Sequence, residues 1–190
     1  MLLDHSGKLA MAVWRAEGRC LKGGLLLKLG RVDNGLALLR TALGELRETG
    51  SVLRYGAFLG VLAEGLAAAG QAVAGRVAVD EALALSESNE EGWCVPELLR
   101  IKGELVRLGN APDAAAAAED LFGQALDWAR RQPALLWELR AATSLARMWR
   151  DQGQSKEARK LLAPVYDRFT EGFETADLNA AKALLNELAA

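Results

Sequence analysis

One histidine, two cysteines and a concentration of arginine and glutamate on one series of helices are the residues of this sequence that could do chemistry. His5 stands in what reads as a frayed N-terminal turn, with no second imidazole in the chain to share a proton or a metal. Cys20 and Cys94 have neither a C-x-x-C mate nor a histidine at ligand spacing, so they read as thiols filling small core sites. No G-x-x-x-x-G-K-[ST] loop is present to cradle a phosphate. Glu64 and Glu104 are the carboxylates to consider as an acid/base pair, and without a nucleophile or a second histidine they make a poor enzyme. The remaining chemistry is recognition. Planar guanidinium groups at Arg100, Arg107, Arg140, Arg147 and Arg150 suit bidentate pairing with carboxylate or phosphate. The expectation is a binding protein with no catalysis, no metal and no cofactor.

Helices must position these groups. Apolar residues recur at helical spacing, as in Leu36, Leu39, Leu43 and Leu46, and no alternating strand pattern competes. Breakers near Gly30, Gly50, Gly70, Asn89, Gly109, Gln132, Gly153 and Gly172 predict eight helices and a short ninth. Pro96, Pro112 and Pro133 stand where new helices begin, and Pro164 falls inside a helical pattern that it should kink.

The segments repeat. Gly30, Gly70, Gly109 and Gly153 are spaced by 40, 39 and 44 residues, and Gly23, Ala63, Gly103 and Ala146 precede them by six or seven. Gly35, Gly75 and Ala158 follow by five, while the third copy needs an insertion of about four residues at the alanine run 114–118. Leu39, Val79, Phe122 and Leu162 then fill a large apolar slot, with Ala42, Ala82, Ala125 and Val165 three residues later. Two antiparallel helices in close backbone contact demand this order of small and large residues. It resembles the tetratricopeptide repeat (TPR), which implies an all-α, TPR-like superhelical array of about four antiparallel hairpins plus a C-terminal capping helix. The repeats cover about 4–49, 51–88, 91–131 and 133–172 and the cap 175–189, within a single repeat domain over 1–190. The cap carries Leu178, Ala181, Leu184, Leu185 and Leu188 on one side.

In such an array the first helices line a concave groove. Repeat register predicts the rows Gly24, Glu64, Glu104, Arg147; Leu27, Ala67, Arg107, Arg150; Cys20, Gly60, Arg100, Thr143; and Glu17, Ala57, Glu97, Arg140. Five arginines against two glutamates gather at the C-terminal half, so the candidate partner site is Arg100, Glu104, Arg107, Arg140, Thr143, Arg147 and Arg150. Two readings stand: an acidic peptide or phosphate-bearing ligand, or i, i+4 pairs such as Arg100 with Glu104 and Arg147 with Asp151 that merely solvate a helix face.

A second resemblance is carried by Trp137-Glu-Leu-Arg-Ala-Ala-Thr-Ser-Leu-Ala-Arg-Met-Trp-Arg-Asp-Gln-Gly153, by Leu162-Ala-Pro-Val-Tyr-Asp-Arg-Phe-Thr-Glu-Gly-Phe-Glu-Thr-Ala-Asp-Leu178 and by Glu97-Leu-Leu-Arg-Ile-Lys-Gly-Glu-Leu105. These segments resemble the C-terminal end of large bacterial signalling ATPases of the adenylate cyclase-like and winged-helix regulator type. The resemblance reaches only the helical repeats. It implies a scaffold or sensor segment of a longer chain, binding a protein or peptide partner or other domains of its own chain. A small-molecule effector near Trp93 and Trp137 is the alternative.

Composition narrows the partners. With 23 basic against 25 acidic residues and a net charge of −2, nothing favours nucleic acid, and no apolar run is long enough for a bilayer. The expected setting is cytoplasmic. Trp14, Trp93, Trp137, Trp128 and Trp149 are all read as core, and Gly56, Gly60 and Gly65 within one helix as close backbone approach rather than a hinge. The first helix lacks a cap, which makes self-association through the N-terminal edge an expectation.

Overall fold

The computed structural model describes residues 2–109 and 111–189, the first eight of these as backbone only. Among the described residues there are nine α-helices and no strand: α1 (Leu2–Lys28), α2 (Val32–Thr49), α3 (Tyr55–Ala68), α4 (Ala72–Ser88), α5 (Val95–Arg107), α6 (Ala114–Arg131), α7 (Leu135–Asp151), α8 (Ser155–Tyr166) and α9 (Ala176–Glu187). His5, expected in a frayed turn, stands on helical backbone, and its side chain lies outside the described ones. No described helix is long and apolar enough to cross a membrane.

Two compact units divide the chain, Met1–Gly92 and Trp93–Ala190. In the first, α1 pairs with α2 and α3 with α4; in the second, α5 pairs with α6 and α7 with α8, while α9 packs on α7 and α8. The helices are therefore organised as four hairpins and a lid.

Three of the hairpin turns are built alike. Gly30, Gly70 and Gly153 take φ of 75°, 74° and 79°, a left-handed conformation that a side chain would strain. The following residue closes each turn: the N–H groups of Arg31, Gln71 and Gln154 donate to the carbonyls of Leu26, Leu66 and Trp149 at 2.8–2.9 Å. This satisfies carbonyls that a helix end leaves open. The same closure ends α4, where Glu91 donates to Ser86 at 2.8 Å, and there the left-handed residue is Glu90 rather than the predicted breaker Asn89. In the third hairpin α5 ends at Arg107 and α6 begins at Ala114, and the alanine run is not a loop insertion but the first turn of α6. Ala118 thereby reaches the small slot and is fully buried. Pro164 lies two residues before Tyr166, the last residue of α8, near enough to the terminus that few backbone bonds follow it.

Inside each hairpin the small and large slots interlock. Leu39, Val79, Phe122 and Leu162 are all completely buried, as are Ala63 and Ala146 opposite them. A Cβ built on Gly23 would lie 2.7 Å from Leu39 Cγ, and one on Gly103 would lie 2.6 Å from Phe122 Cε1. The glycine is thus the space that the large side chain occupies. In α3, a Cβ on Gly65 would meet Leu27 at 2.6 Å and Leu36 at 2.9 Å, so this glycine serves close approach between hairpins. The lid works by ordinary burial, with Leu178, Ala181, Leu184 and Leu188 covered.

These distances fix the sign of two substitutions. Gly103→Ala should destabilise the protein by about 1–3 kcal/mol, because Phe122 is fully enclosed and cannot step aside. Gly44→Ala, at an exposed helical glycine with nothing within 4 Å, should stabilise it by about 0.5–1 kcal/mol. Urea unfolding followed by circular dichroism distinguishes the two, and equal signs would refute the interlock.

Candidate functional site

The predicted partner residues belong to unit 2, on α5 and α7. Arg100, Arg140, Thr143 and Arg147 line one hollow of about 110 Å³, joined by Ser144 and by Asp177 and Ala180 of α9. Arg107 and Arg150 lie further along their helices, and Glu104 stands between Arg100 and Arg107 on α5. The lid therefore does more than cover apolar surface: it closes one side of the hollow and adds a carboxylate. Nothing in the spacing of 175–189 identified Asp177 as a lining residue, since a capping helix is read from its leucines alone.

Charge pairing decides what this face can bind. Arg100 is buried and holds Glu97 bidentately, Nε donating at 2.9 Å and Nη2 at 2.8 Å. Arg140 meets the same carboxylate at 2.8 Å and reaches Asp177 at 3.5 Å. Arg150 pairs with Asp151 at 2.8 Å and with Glu187 of α9. Hydrogen bonding to Asp151, and then to Glu187, holds its guanidinium above the usual arginine range. Thr143 spends its hydroxyl proton on the carbonyl of Leu139 at 2.7 Å. Thr143 is buried, and its place in the hollow is that of a wall and an acceptor.

Arg107 and Arg147 differ from the rest. They share one carboxylate, Glu104, at 3.2 Å and 3.9 Å, and their side chains are 36% and 40% exposed. Two guanidinium groups against one carboxylate leave a surplus of positive charge at the accessible end of the face. The pairs expected from i, i+4 spacing are not the ones formed: Arg100 turns back to Glu97, Arg147 crosses to α5, and Asp151 takes its neighbour Arg150.

Buried carboxylates occur in both units. Glu17 and Glu97, which are repeat-equivalent, are both buried, Glu17 facing Arg54 at 3.9 Å. Glu138 is buried as well and binds Arg130 at 2.9 Å and Arg168 at 2.5 Å, tying α6 and the turn after α8 to α7. A buried ion is tolerated only when paired in this way. Cys20, in the row taken as groove-lining, is also buried, and burial, with Glu17 and Glu45 adding repulsion, pushes its thiol up to about 12. The thiol stays protonated at neutral pH and is no nucleophile. Glu64 belongs to unit 1 and Glu104 to unit 2, where Glu104 serves the two arginines.

The tryptophans correct the sequence reading. Trp14 and Trp93 are exposed, and Trp128, Trp137 and Trp149 are only half-buried. The indole N–H of Trp149 donates to Glu119 at 2.9 Å. Arg131 lies 4.6 Å over Trp128 and Arg140 5.8 Å over Trp137. Neither Trp93 nor Trp137 lines the α5/α7/α9 hollow. Unit 1 has a hollow of about 160 Å³ that no motif announced, between the ends of α2, α3 and α4. Arg47 lies beside it, bonded to Glu81 at 2.6 Å and stacked 5.6 Å from the centre of the Tyr55 ring.

Comparison with known proteins places this geometry on a known fold. Two crystal structures of TPR-like repeats from a kinesin light chain-like protein of Podosopora anserina, one a single-substitution variant, superpose with TM-scores of 0.60 and 0.61. Each is 21% identical to this chain, covers 92% of it, and is itself covered to 84% or 85%. The chain has the TPR-like helical-repeat fold. No family model matches it, and no curated protein matches it in sequence.

Glu97→Ala should lower stability by about 3 kcal/mol, since it strips a buried guanidinium of its bidentate partner. Arg150→Ala, at the exposed pair, should cost less than about 1 kcal/mol. Thermal unfolding of the two variants compares them directly, and similar losses would contradict the structural role assigned to Glu97.

Proposed function

We propose that this chain is a non-catalytic protein-interaction module that holds an acidic segment of a partner over the α5/α7 face of unit 2. TPR-like repeats generally mediate protein–protein contact, and the observation that carries the finer reading is the pair Arg107 and Arg147 sharing the single carboxylate Glu104. A carboxylate arriving from a partner adds the missing negative charge without displacing a buried pair. Arg100 and Arg140, committed to Glu97, act as the wall that sets the outline of the hollow, with Thr143 between them. Arg150 anchors the lid.

The double variant Arg107→Ala, Arg147→Ala should weaken binding of a twelve-residue aspartate- and glutamate-rich peptide at least tenfold while leaving circular dichroism unchanged. Unchanged affinity in isothermal titration would sink the assignment, and binding that ignores salt would argue against charge as its source.

The resemblance of 137–153 and 162–178 to the repeat ends of bacterial signalling ATPases supports a place for the module in such a regulator, in the cytoplasm. On this reading the segment held at Arg107 and Arg147 comes from the ATPase portion or from a protein that controls it. An antibody to this segment should then detect a native polypeptide several times larger than 20.4 kDa. A band at 20.4 kDa would instead make the module a separate adaptor. Self-association through the N-terminal edge, the other expected partner, is disfavoured, because a second copy paired through α1 would set Arg15 against Lys22 of its mate.

A further inference from the structure

α1 is apolar on two opposite faces. One face, with Ala16, Cys20, Gly23 and Leu27, packs on α2 and α3. On the other side Met11, Trp14, Leu21 and Leu25, with Leu29 just past the helix end, are 55–71% exposed. At 100° per residue these five, with Gly18 among them, fall within an arc of roughly 80° and form a row about 27 Å long. They leave on the order of 600 Å² of apolar surface in contact with solvent, as large as any patch on an ordinary monomer and a mark of interaction.

The repeats themselves identify what such a row receives. Adding the repeat spacing carries Gly18, Leu21 and Leu25 of α1 onto Phe58, Val61 and Gly65 of α3. There the row is the contact with the preceding hairpin: Val61 Cγ1 lies 3.1 Å from the Cβ position of Gly24, and Gly65 leaves room for Leu27 and Leu36. The same register in α7 leads to Ala141, Ser144 and Met148, all buried in a helix that packs on α5 and α6. So within each unit this row of the second hairpin is covered by helices, and on α1 it lies open. A helix, not an extended strand or a small ligand, is the shape it fits.

The border of the row selects the chemistry of that helix. Arg15 and Lys22 flank one side and Lys28 the other; all three are exposed, and among the described residues none has an ion-pair partner. Arg19, further round, is already held by Glu45. A second copy of this chain pairing through α1 about a two-fold axis would set Arg15 against Lys22 of its mate, like charge against like. A copy arriving by its C-terminal end would present α9, whose apolar side is spent on α7 and α8. We infer that the open face of α1 docks an amphipathic α-helix from outside these 190 residues, apolar along its seam and lined by aspartate or glutamate. This surface is separate from the unit 2 face and stands whether or not that one binds a peptide.

Two dye-labelled 21-residue helical peptides test it, sharing a Leu/Ala seam and differing only in glutamate or lysine at the flanking positions. Fluorescence anisotropy with the full chain should give at least tenfold tighter binding of the glutamate peptide, narrowing as salt is raised. Leu21→Asp with Leu25→Asp should abolish binding, and Arg15→Glu, Lys22→Glu, Lys28→Glu should reverse the preference. These side chains are exposed, so both variants should keep the wild-type circular dichroism. Equal affinity for the two peptides, binding to neither, a dimer in sedimentation velocity that the leucine variant removes, or preferential binding to anionic phosphatidylserine vesicles would each overturn the proposal.

Discussion

Close backbone approach inside the hairpins is the constraint on which the rest of this molecule depends. A glycine or alanine on one helix and a Leu, Val or Phe on its mate share one volume, as Gly103 and Phe122 do most tightly. Because dense interiors cannot absorb an extra methyl group, the axial position and rotation of each helix are set together. Every row of side chains on the hairpin surface inherits that register. The surplus charge at Arg107 and Arg147 and the apolar row of α1 are both consequences of it.

Ion pairs complete the structure where apolar packing leaves polar groups inside. Glu17, Glu97 and Glu138 are buried, and each is met by arginine from another position in its own unit. Such pairs contribute little net stability relative to a well-packed apolar pair, yet removal of one partner is costly, so they act as registers more than as glue. This divides the arginines of unit 2 by function. Those at Glu97 are structural, and on the proposed reading the two at Glu104 are the ones left to meet a partner.

The repeat was legible because glycines mark it at two levels. Gly30, Gly70 and Gly153 are needed for a positive φ, and Gly23 and Gly103 for the absence of a side chain, so two physical requirements repeat together at nearly constant spacing. The candidate site was legible as a set of positions, four of which do line one hollow. Its chemistry was not. Spacing along a helix suggested that Arg100 would seek Glu104, whereas tertiary packing buries it against Glu97 and brings Arg140 and Asp177 to the same place. Periodicity locates a charged side chain on a face, but pairing is decided by what lies across from it.

Trp14 and the exposed leucines of α1 show a related limit. An apolar residue at helical spacing reads as core because hydrophobic periodicity cannot distinguish a surface buried within the chain from one reserved for another molecule. Trp14 reads as core from its residue type and yet is exposed. Comparison between repeats resolves the ambiguity: α3 has the same row against α1 and α2, so the row on α1 follows the rule for a buried contact without its covering helix. In a repeat protein, an unpaired copy of an internal interface specifies the geometry of its partner, and the charges beside it, Arg15, Lys22 and Lys28, specify its sign.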